Sequence, residues 1–154
     1  MKKLFLPLLF FPLLAYCAQG TASASLTAGI SLSEIQTMYF SSITVYGNCE
    51  IAMSPSGARV VTGEAVLNDE FNAPCRFALK GTPLAMYKVN LPASTTVTNG
   101  SHTLTLKSFT AKPTTGTLGA DGRAVVEIGA TLVIDGNFSS GVYRGVFDVT
   151  ANYE

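Results

Sequence analysis

Several residue types that build active sites are scarce in this sequence. It has no tryptophan, a single histidine and three cysteines, and only 13% of its 154 residues are charged. His102 alone cannot supply a zinc site of the usual ligand number. A Ser-His-Asp site would need an activated serine beside His102, yet no Gly-x-Ser-x-Gly motif occurs. We interpret His102 as an exposed hairpin residue and expect no enzyme, metal site or cofactor.

Positive charge is also limited, since ten Lys and Arg residues balance ten Asp and Glu residues. No basic cluster is available to contact phosphates, so we expect no nucleic-acid partner. The apolar run of residues 4–15 is shorter than the ~20 residues that span a bilayer as a helix. We therefore expect no membrane span.

The first residues are typical of a secretory signal peptide. Lys2 and Lys3 precede the apolar run, and small residues follow it up to Ala24. We predict a signal peptide over residues 1–24 and one mature domain over residues 25–154. Cleavage removes two lysines and no acid, which leaves eight basic and ten acidic side chains and a net charge of −2. The mature protein is expected in the periplasm, at the cell surface or outside the cell.

Cleavage would also leave an even number of cysteines. Cys17 departs with the signal peptide, and Cys49 and Cys75 remain. An oxidising compartment favours a disulfide between them, which would contribute roughly 3 kcal/mol by closing the loop in the unfolded chain. An alternative is a lipoprotein signal ending at Cys17, which would anchor the chain through lipid. The bulky Tyr16 before this cysteine disfavours lipid attachment.

Short alternating segments separated by turn residues follow the predicted signal peptide. The Asn99-Gly100 pair marks the clearest hairpin, since Asn-Gly suits a turn with two positive-φ positions. We interpret residues 31–39 as a strand, although Ser31 and Glu34 also match a helix capping box. Residues 64–71 are predicted as a short helix or an irregular loop. About nine strands in one domain predict an all-β, antiparallel β-sandwich.

The chain ends with its most regular alternation, GVYRGVFDVTANYE. In an extended strand this pattern places alternate side chains on an apolar face. We predict one terminal strand whose marked positions are Gly141, Tyr143, Phe147, Val149, Ala151 and Tyr153.

This ending resembles the C-terminal signature of bacterial chaperone–usher pilus subunits, in which a glycine stands fourteenth from the end and a tyrosine is penultimate. The resemblance implies an incomplete immunoglobulin-like sandwich with an open groove beside its last strand. A periplasmic chaperone would fill the groove with a strand. The N-terminal extension of a neighbouring copy or related subunit would then replace that strand at the outer-membrane usher.

A second resemblance covers nearly all of the mature chain. Segments such as Ser54-Pro-Ser-Gly57, Tyr87-Lys-Val-Asn-Leu-Pro92 and Ile128-Gly-Ala-Thr-Leu-Val133 look like domain-of-unknown-function family 4402. That family comprises secreted bacterial β proteins, some of them fimbria-related. Phe40-Ser-Ser departs from the Phe-Gly step usual in the group. The Cys49 and Cys75 pair is not general there but is similar to the single disulfide of many pilins.

The residues therefore leave two functions open. In the first, the protein is a non-enzymatic subunit of a surface fibre, and residues 25–33 form a donor extension. The donor side chains would be Leu26, Ala28, Ile30 and Leu32. In the second, those residues are the first strand of a complete, secreted module for adhesion to glycans or matrix. A small secreted hydrolase is a third hypothesis that the residue inventory disfavours.

Overall fold

A computed structural model of the chain describes residues 23–24, 29–68 and 71–154, and the regular elements in these ranges are β-strands. Most of the predicted signal peptide, including Cys17, lies outside the described residues, as do Leu26 and Ala28. The strands are β1 (Ser31–Gln36), β2 (Ile43–Met53), β3 (Arg59–Leu67), β4 (Cys75–Lys80), β5 (Met86–Asn90), β6 (Ser94–Thr98), β7 (Thr103–Lys112), β8 (Thr115–Thr117), β9 (Arg123–Ile134) and β10 (Thr150–Tyr153).

The strands form two antiparallel sheets. The large sheet has the order β1-β4-β9-β2-β3, with β7 paired to β9 and β6 paired to β7. The small sheet has the order β10-β5-β8. Two pairs of consecutive strands, β2–β3 and β6–β7, fold back on each other as hairpins, and the other pairings join strands that are apart in sequence. The structure confirms the predicted all-β antiparallel fold.

The longest strand, β9, pairs with three others. Its first half pairs with β4 and its second half with β2, while β7 pairs with both halves. Because β7 lies along one edge, β4 and β2 divide the other edge between them. They meet at Gly129, where the backbone of Met53 and Ser54 comes so close that a Cβ atom would collide with it. Glycine is therefore required at this position by close backbone approach.

Alternation along β9 also explains the core. Its inward side chains contribute to two apolar clusters. The first cluster contains Cys49, Ile51, Leu104, Leu106, Ala130, Leu132 and Ile134. The second cluster contains Cys75, Leu79, Tyr87, Val89, Leu118, Val126 and Ile128. A strand with a side-chain period of two thus supplies both clusters from one face.

Three local predictions can be compared with these elements. Residues 31–36 are a strand as predicted, paired to β4. The predicted helix or loop over residues 64–71 is wrong for its first part, because residues 64–67 complete β3 and Val66 pairs with Thr44. The hairpin at Asn99 is confirmed, but only Gly100 has positive φ. The Asn99 side chain instead accepts hydrogen bonds from the backbone of Ser101 and His102.

Replacing Gly129 tests the division of the β9 edge. We expect Gly129→Ala to lower the free energy of unfolding by about 1–3 kcal/mol, because the new methyl group overpacks against backbone atoms that cannot rotate away. Gly29→Ala is the control, since no atom lies within 4 Å of its added Cβ position. Urea denaturation of both variants measures the difference. Equal midpoints would contradict the proposed close approach.

Candidate functional site

The C-terminal segment, residues 141–154, is the first candidate site because the sequence singles it out. Its side chains alternate as predicted, with a half-buried inner row and an exposed outer row. Tyr143 packs against the first cluster. Phe147, Val149, Ala151 and Tyr153 pack against the second. Of the predicted positions, only Gly141 contributes no side chain to this row.

The prediction of one continuous terminal strand is wrong. Only residues 150–153 form a strand, and Arg144 makes an isolated bridge to Thr98. Between these points the segment leaves the edge of the large sheet and joins the small sheet. Residues 145–149 are therefore outside the ladder of either sheet. Alternation predicted which side chains face inward, but it could not reveal that the backbone changes partner.

The start of the segment is held by hydrogen bonds to the β6–β7 hairpin. The backbone N–H groups of Arg144 and Thr98 donate to each other's carbonyl oxygens at 2.9 and 2.8 Å. The Tyr143 hydroxyl donates to the Ser139 carbonyl at 2.8 Å. Gly145 lies so close to the Thr96 carbonyl that a Cβ atom would collide with it. The segment thus begins in one defined position against β6.

Phe147 marks the point where the segment crosses between sheets. Its ring lies 4.8 Å from the ring of Phe109, centroid to centroid, at an interplanar angle of 40°. Just before it, the Thr95 hydroxyl donates to the Val146 carbonyl at 2.9 Å. Such a tilted aromatic pair contributes about 0.5–1.5 kcal/mol beyond the area it buries. Side-chain packing therefore holds the crossing where sheet pairing is absent.

After the crossing, one edge of β10 pairs with β5. The pairs run from Thr150 opposite Asn90 to Tyr153 opposite Tyr87. The Tyr153 hydroxyl accepts a hydrogen bond from the backbone N–H of Thr82 at 2.7 Å. Among the described residues no strand pairs with the opposite edge of β10. An unpaired edge is a template for another strand.

Strand β1 lies beside this edge of β10 without pairing to it. Ile30, just before β1, and Tyr153 both approach Gly81, so the two elements face the same stretch of the second cluster. We call the space between β1 and this edge of β10 the seam. Half-buried apolar side chains lie on both of its sides. They are Ile30, Leu32, Phe147, Val149, Ala151 and Tyr153.

The candidate donor residues are only partly described, and the described ones pack within their own chain. Leu32 pairs in register with Leu79 of β4, and Ile30 and Leu32 pack against the second cluster. Most other residues of β1 are exposed, Gln36 being half-buried. A short edge strand with two apolar anchors is weakly held compared with the central strands.

The predicted disulfide between Cys49 and Cys75 is not formed. Both cysteines are free and buried. Cys49 pairs with Ile134 and Cys75 with Ile128, so the two cysteines are separated by six positions along β9, or about 20 Å. A disulfide requires Cα atoms about 4.4–6.8 Å apart. The even cysteine count suggested pairing, but the register of β2 and β4 on β9 prevents it.

His102 lies in a polar cluster that the sequence did not reveal. It is half-buried rather than exposed, and its Nδ1 lies 2.9 Å from the Ser139 hydroxyl. The Asn99 amide donates to the same hydroxyl oxygen at 2.9 Å. No carboxylate pairs with the imidazole among the described residues, so the third member of a hydrolytic triad is absent there. These hydrogen bonds position Ser139, whose carbonyl oxygen in turn accepts the hydrogen bond from the Tyr143 hydroxyl.

Within residues 23–24, 29–68 and 71–154, no group of three or more His, Cys, Asp or Glu side chains is arranged to hold a metal ion. In the same ranges no helix is long and apolar enough to cross a membrane.

We expect both core thiols to be free and unreactive in the folded protein. Burial, with the Glu34 carboxylate as a second cause, raises the pKa of the Cys75 thiol to about 12. Burial also raises the pKa of Cys49. Both thiols therefore stay protonated at pH 8, where the thiolate is the reactive form. Ellman's reagent followed by peptide mapping should label Cys49 and Cys75 only after unfolding.

The same shift has a consequence for stability. Between the ordinary thiol pKa near 9 and the raised value near 12, the folded state retains the Cys75 proton and the unfolded state loses it. The contribution of Cys75 is thus fully present below about pH 9 and is lost as pH rises towards 12. Labelling of either cysteine in the folded protein at pH 8, or a mapped Cys49–Cys75 disulfide, would contradict this description.

A substitution at the crossing measures how much the inner row stabilises the segment. Phe147→Ala removes a half-buried ring from Phe109, and we expect a loss of about 2–3 kcal/mol in the free energy of unfolding. Val146→Ala is the control because Val146 is 86% exposed, so its change should stay within about 0.5 kcal/mol. Thermal or urea unfolding distinguishes them. Similar losses for both would mean that alternation does not govern packing here.

Comparison with known proteins adds a family but no characterised relative. A family model described as "Domain of unknown function (DUF4402)" matches residues 30–153, a range that includes both sides of the seam. No curated protein and no solved structure matches the chain. As the sequence resemblance predicted, the chain belongs to domain-of-unknown-function family 4402.

Proposed function

We propose that this protein is a structural subunit of a bacterial surface fibre and that the seam beside β10 receives a strand from another chain. The observation that carries the proposal is that one edge of β10 pairs with no strand among the described residues and borders a row of half-buried apolar side chains. A periplasmic chaperone would supply the first strand. A neighbouring copy or related subunit would supply its replacement as the outer-membrane usher assembles the fibre.

The chemistry of the seam matches strand addition. An added strand would hydrogen-bond to the backbone of β10 along the edge that no described strand pairs with, and would place alternate side chains against the second cluster. The inner row repeats every second residue from Phe147 to Tyr153, which is the spacing of side chains on a strand. Backbone pairing would supply affinity, and the apolar row would fix the register of the incoming strand.

The donor would be the N-terminal segment of another copy. Its apolar positions, Leu26, Ala28, Ile30 and Leu32, alternate with Thr27, Gly29 and Ser31. Burial contributes about 1.5–3 kcal/mol for each large apolar side chain. Releasing the two described anchors, Ile30 and Leu32, from their own chain costs no more than that for each. The same contacts form again when an identical segment from a second copy replaces them, as in domain swapping.

This function agrees with the rest of the sequence. A signal peptide over residues 1–24 would export the chain, and a single domain over residues 25–154 would be assembled outside the cytoplasm. Lipid attachment at Cys17 is the minor alternative for anchoring it. We propose a non-enzymatic role that needs no cofactor, with partners that are proteins rather than nucleic acids.

A second candidate function is a self-contained secreted module for adhesion to glycans or matrix. The observation favouring it is that β1 pairs with β4 of its own chain, which places Leu32 against the second cluster without help from a partner. Under this hypothesis residues 29–36 belong permanently to the domain. No second chain would then pair with β10 in the functional protein.

Deleting residues 25–32 distinguishes the two functions. For a fibre subunit, we expect full-length protein from the periplasm to form SDS-resistant oligomers that separate on heating, because exchanged strands are released only when the fold opens. The deletion variant should form no such ladder. A synthetic peptide of residues 25–34 should bind the variant, since it restores the missing strand in trans.

The control peptide carries Ile30→Asp and Leu32→Asp, which place charge against the apolar cluster and should abolish binding. Size-exclusion chromatography and unheated SDS gels measure oligomers, and fluorescence anisotropy measures peptide binding. A full-length protein that stays monomeric and refolds alone would exclude the fibre and leave the self-contained module.

A further inference from the structure

The outer face of the large sheet carries two directly opposed cations. Lys80 of β4 and Arg123 of β9 are register partners, and both side chains are exposed. Their neighbours Leu79 and Ala124 face the core, so alternation directs Lys80 and Arg123 to the outer face. Like charges directly opposite each other on a sheet are destabilising.

No acid neutralises this pair within the described part of the chain. The same two strands hold Arg76 opposite Glu127, and these form an ion pair at 3.3 Å. Lys80 and Arg123 have no such partner among the described residues. The nearest acid in sequence is Asp121, and its carboxylate oxygen accepts a hydrogen bond from the backbone N–H of Arg123. One cross-strand pair of this sheet is thus charge-compensated, and another, four positions along, is not.

The two cations border a concavity on the same face. Its volume is about 470 Å³, and its lining includes Ser33, Ala78 and Val125 in addition to the cations. Small side chains at Ser33 and Ala78 leave the sheet surface low between the longer side chains around them. Val125 is 42% exposed and presents an apolar surface. The concavity is open on its outer side, so an occupant would lie against the sheet surface rather than be enclosed.

These features define the chemistry of an occupant. A guanidinium group binds a carboxylate or sulfate through two parallel hydrogen bonds, and an ammonium group adds a point charge. The Ser33 hydroxyl offers a further hydrogen bond, and Val125 can contact an apolar ring face. We propose that this concavity binds a small organic anion, namely a carboxylate or sulfate group carried on a body about the size of a sugar ring.

The proposal is independent of strand exchange and is tested on the full-length chain. Glucuronic acid supplies the anion and the ring, inorganic sulfate supplies the anion alone, and glucose supplies the ring alone. In ¹⁵N–¹H spectra, glucuronic acid should shift the amide signals of Ser33, Ala78 and Val125. We expect glucose not to bind and sulfate to bind more weakly than glucuronic acid.

The double variant Lys80→Gln/Arg123→Gln should weaken glucuronic acid binding at least tenfold. The matched control is Lys88→Gln/Arg144→Gln, which removes the same charge from two exposed positions outside the concavity. It should bind like the unchanged protein. Both doubles alter surface side chains, so both should fold.

Thermal stability provides a second readout. Removal of opposed like charges should raise the Tm of the Lys80→Gln/Arg123→Gln variant at low salt, whereas the control should not gain stability. The proposal is overturned if the two doubles weaken binding equally, if glucose binds as well as glucuronic acid, or if the shifted amides lie elsewhere.

Discussion

The division of one edge of β9 between two strands is the constraint on which the rest of the structure depends. Gly129 lies between the two pairings, and the backbone at the end of β2, at Met53 and Ser54, passes so close to it that no side chain fits there. Strand β9 then passes from one apolar cluster to the other with its inward face continuous from Val126 to Ile134. Every other strand of the large sheet pairs with β9 directly or through β2, β4 or β7.

The position of the candidate site follows from this arrangement. Strand β6 belongs to the large sheet through β7, whereas β5 belongs to the small sheet, and the C-terminal segment contacts both. It must therefore change sheets near Phe147. The inner row stays against the core throughout, so burial is preserved where ladder pairing is lost. Backbone groups at the crossing remain close to solvent, because alternate residues are exposed there.

Strand β1 contributes to both proposed binding surfaces, the seam and the concavity, through different side chains. Its inward side chain Leu32 faces the second cluster at the seam, and its outward side chain Ser33 faces the concavity beside Lys80. Successive residues of a strand point to opposite faces, so one short edge strand can take part in both surfaces. If β1 were exchanged between copies, the incoming copy would supply its own Ser33, and the concavity would keep its composition.

Much of this protein was determined by its local sequence. Alternating side chains and turn residues predicted the all-β fold, and the inward face of the last fourteen residues follows from a period of two that needs no tertiary information. Membership of domain-of-unknown-function family 4402 was likewise predicted from short segments of the sequence. These features depend on the order of neighbouring residues, which can be read directly from the sequence.

Features that join distant residues were decided only by tertiary structure. The cysteine count favoured a disulfide, but register on β9 separates Cys49 from Cys75 by about 20 Å. His102 and Ser139 are 37 positions apart in sequence, and no local sequence pattern predicts their contact. The opposition of Lys80 to Arg123 also depends on register, since a shift of one residue would send either side chain to the other face. The two-residue period of a strand determines which face a side chain is on. The register between paired strands determines which side chain lies opposite it.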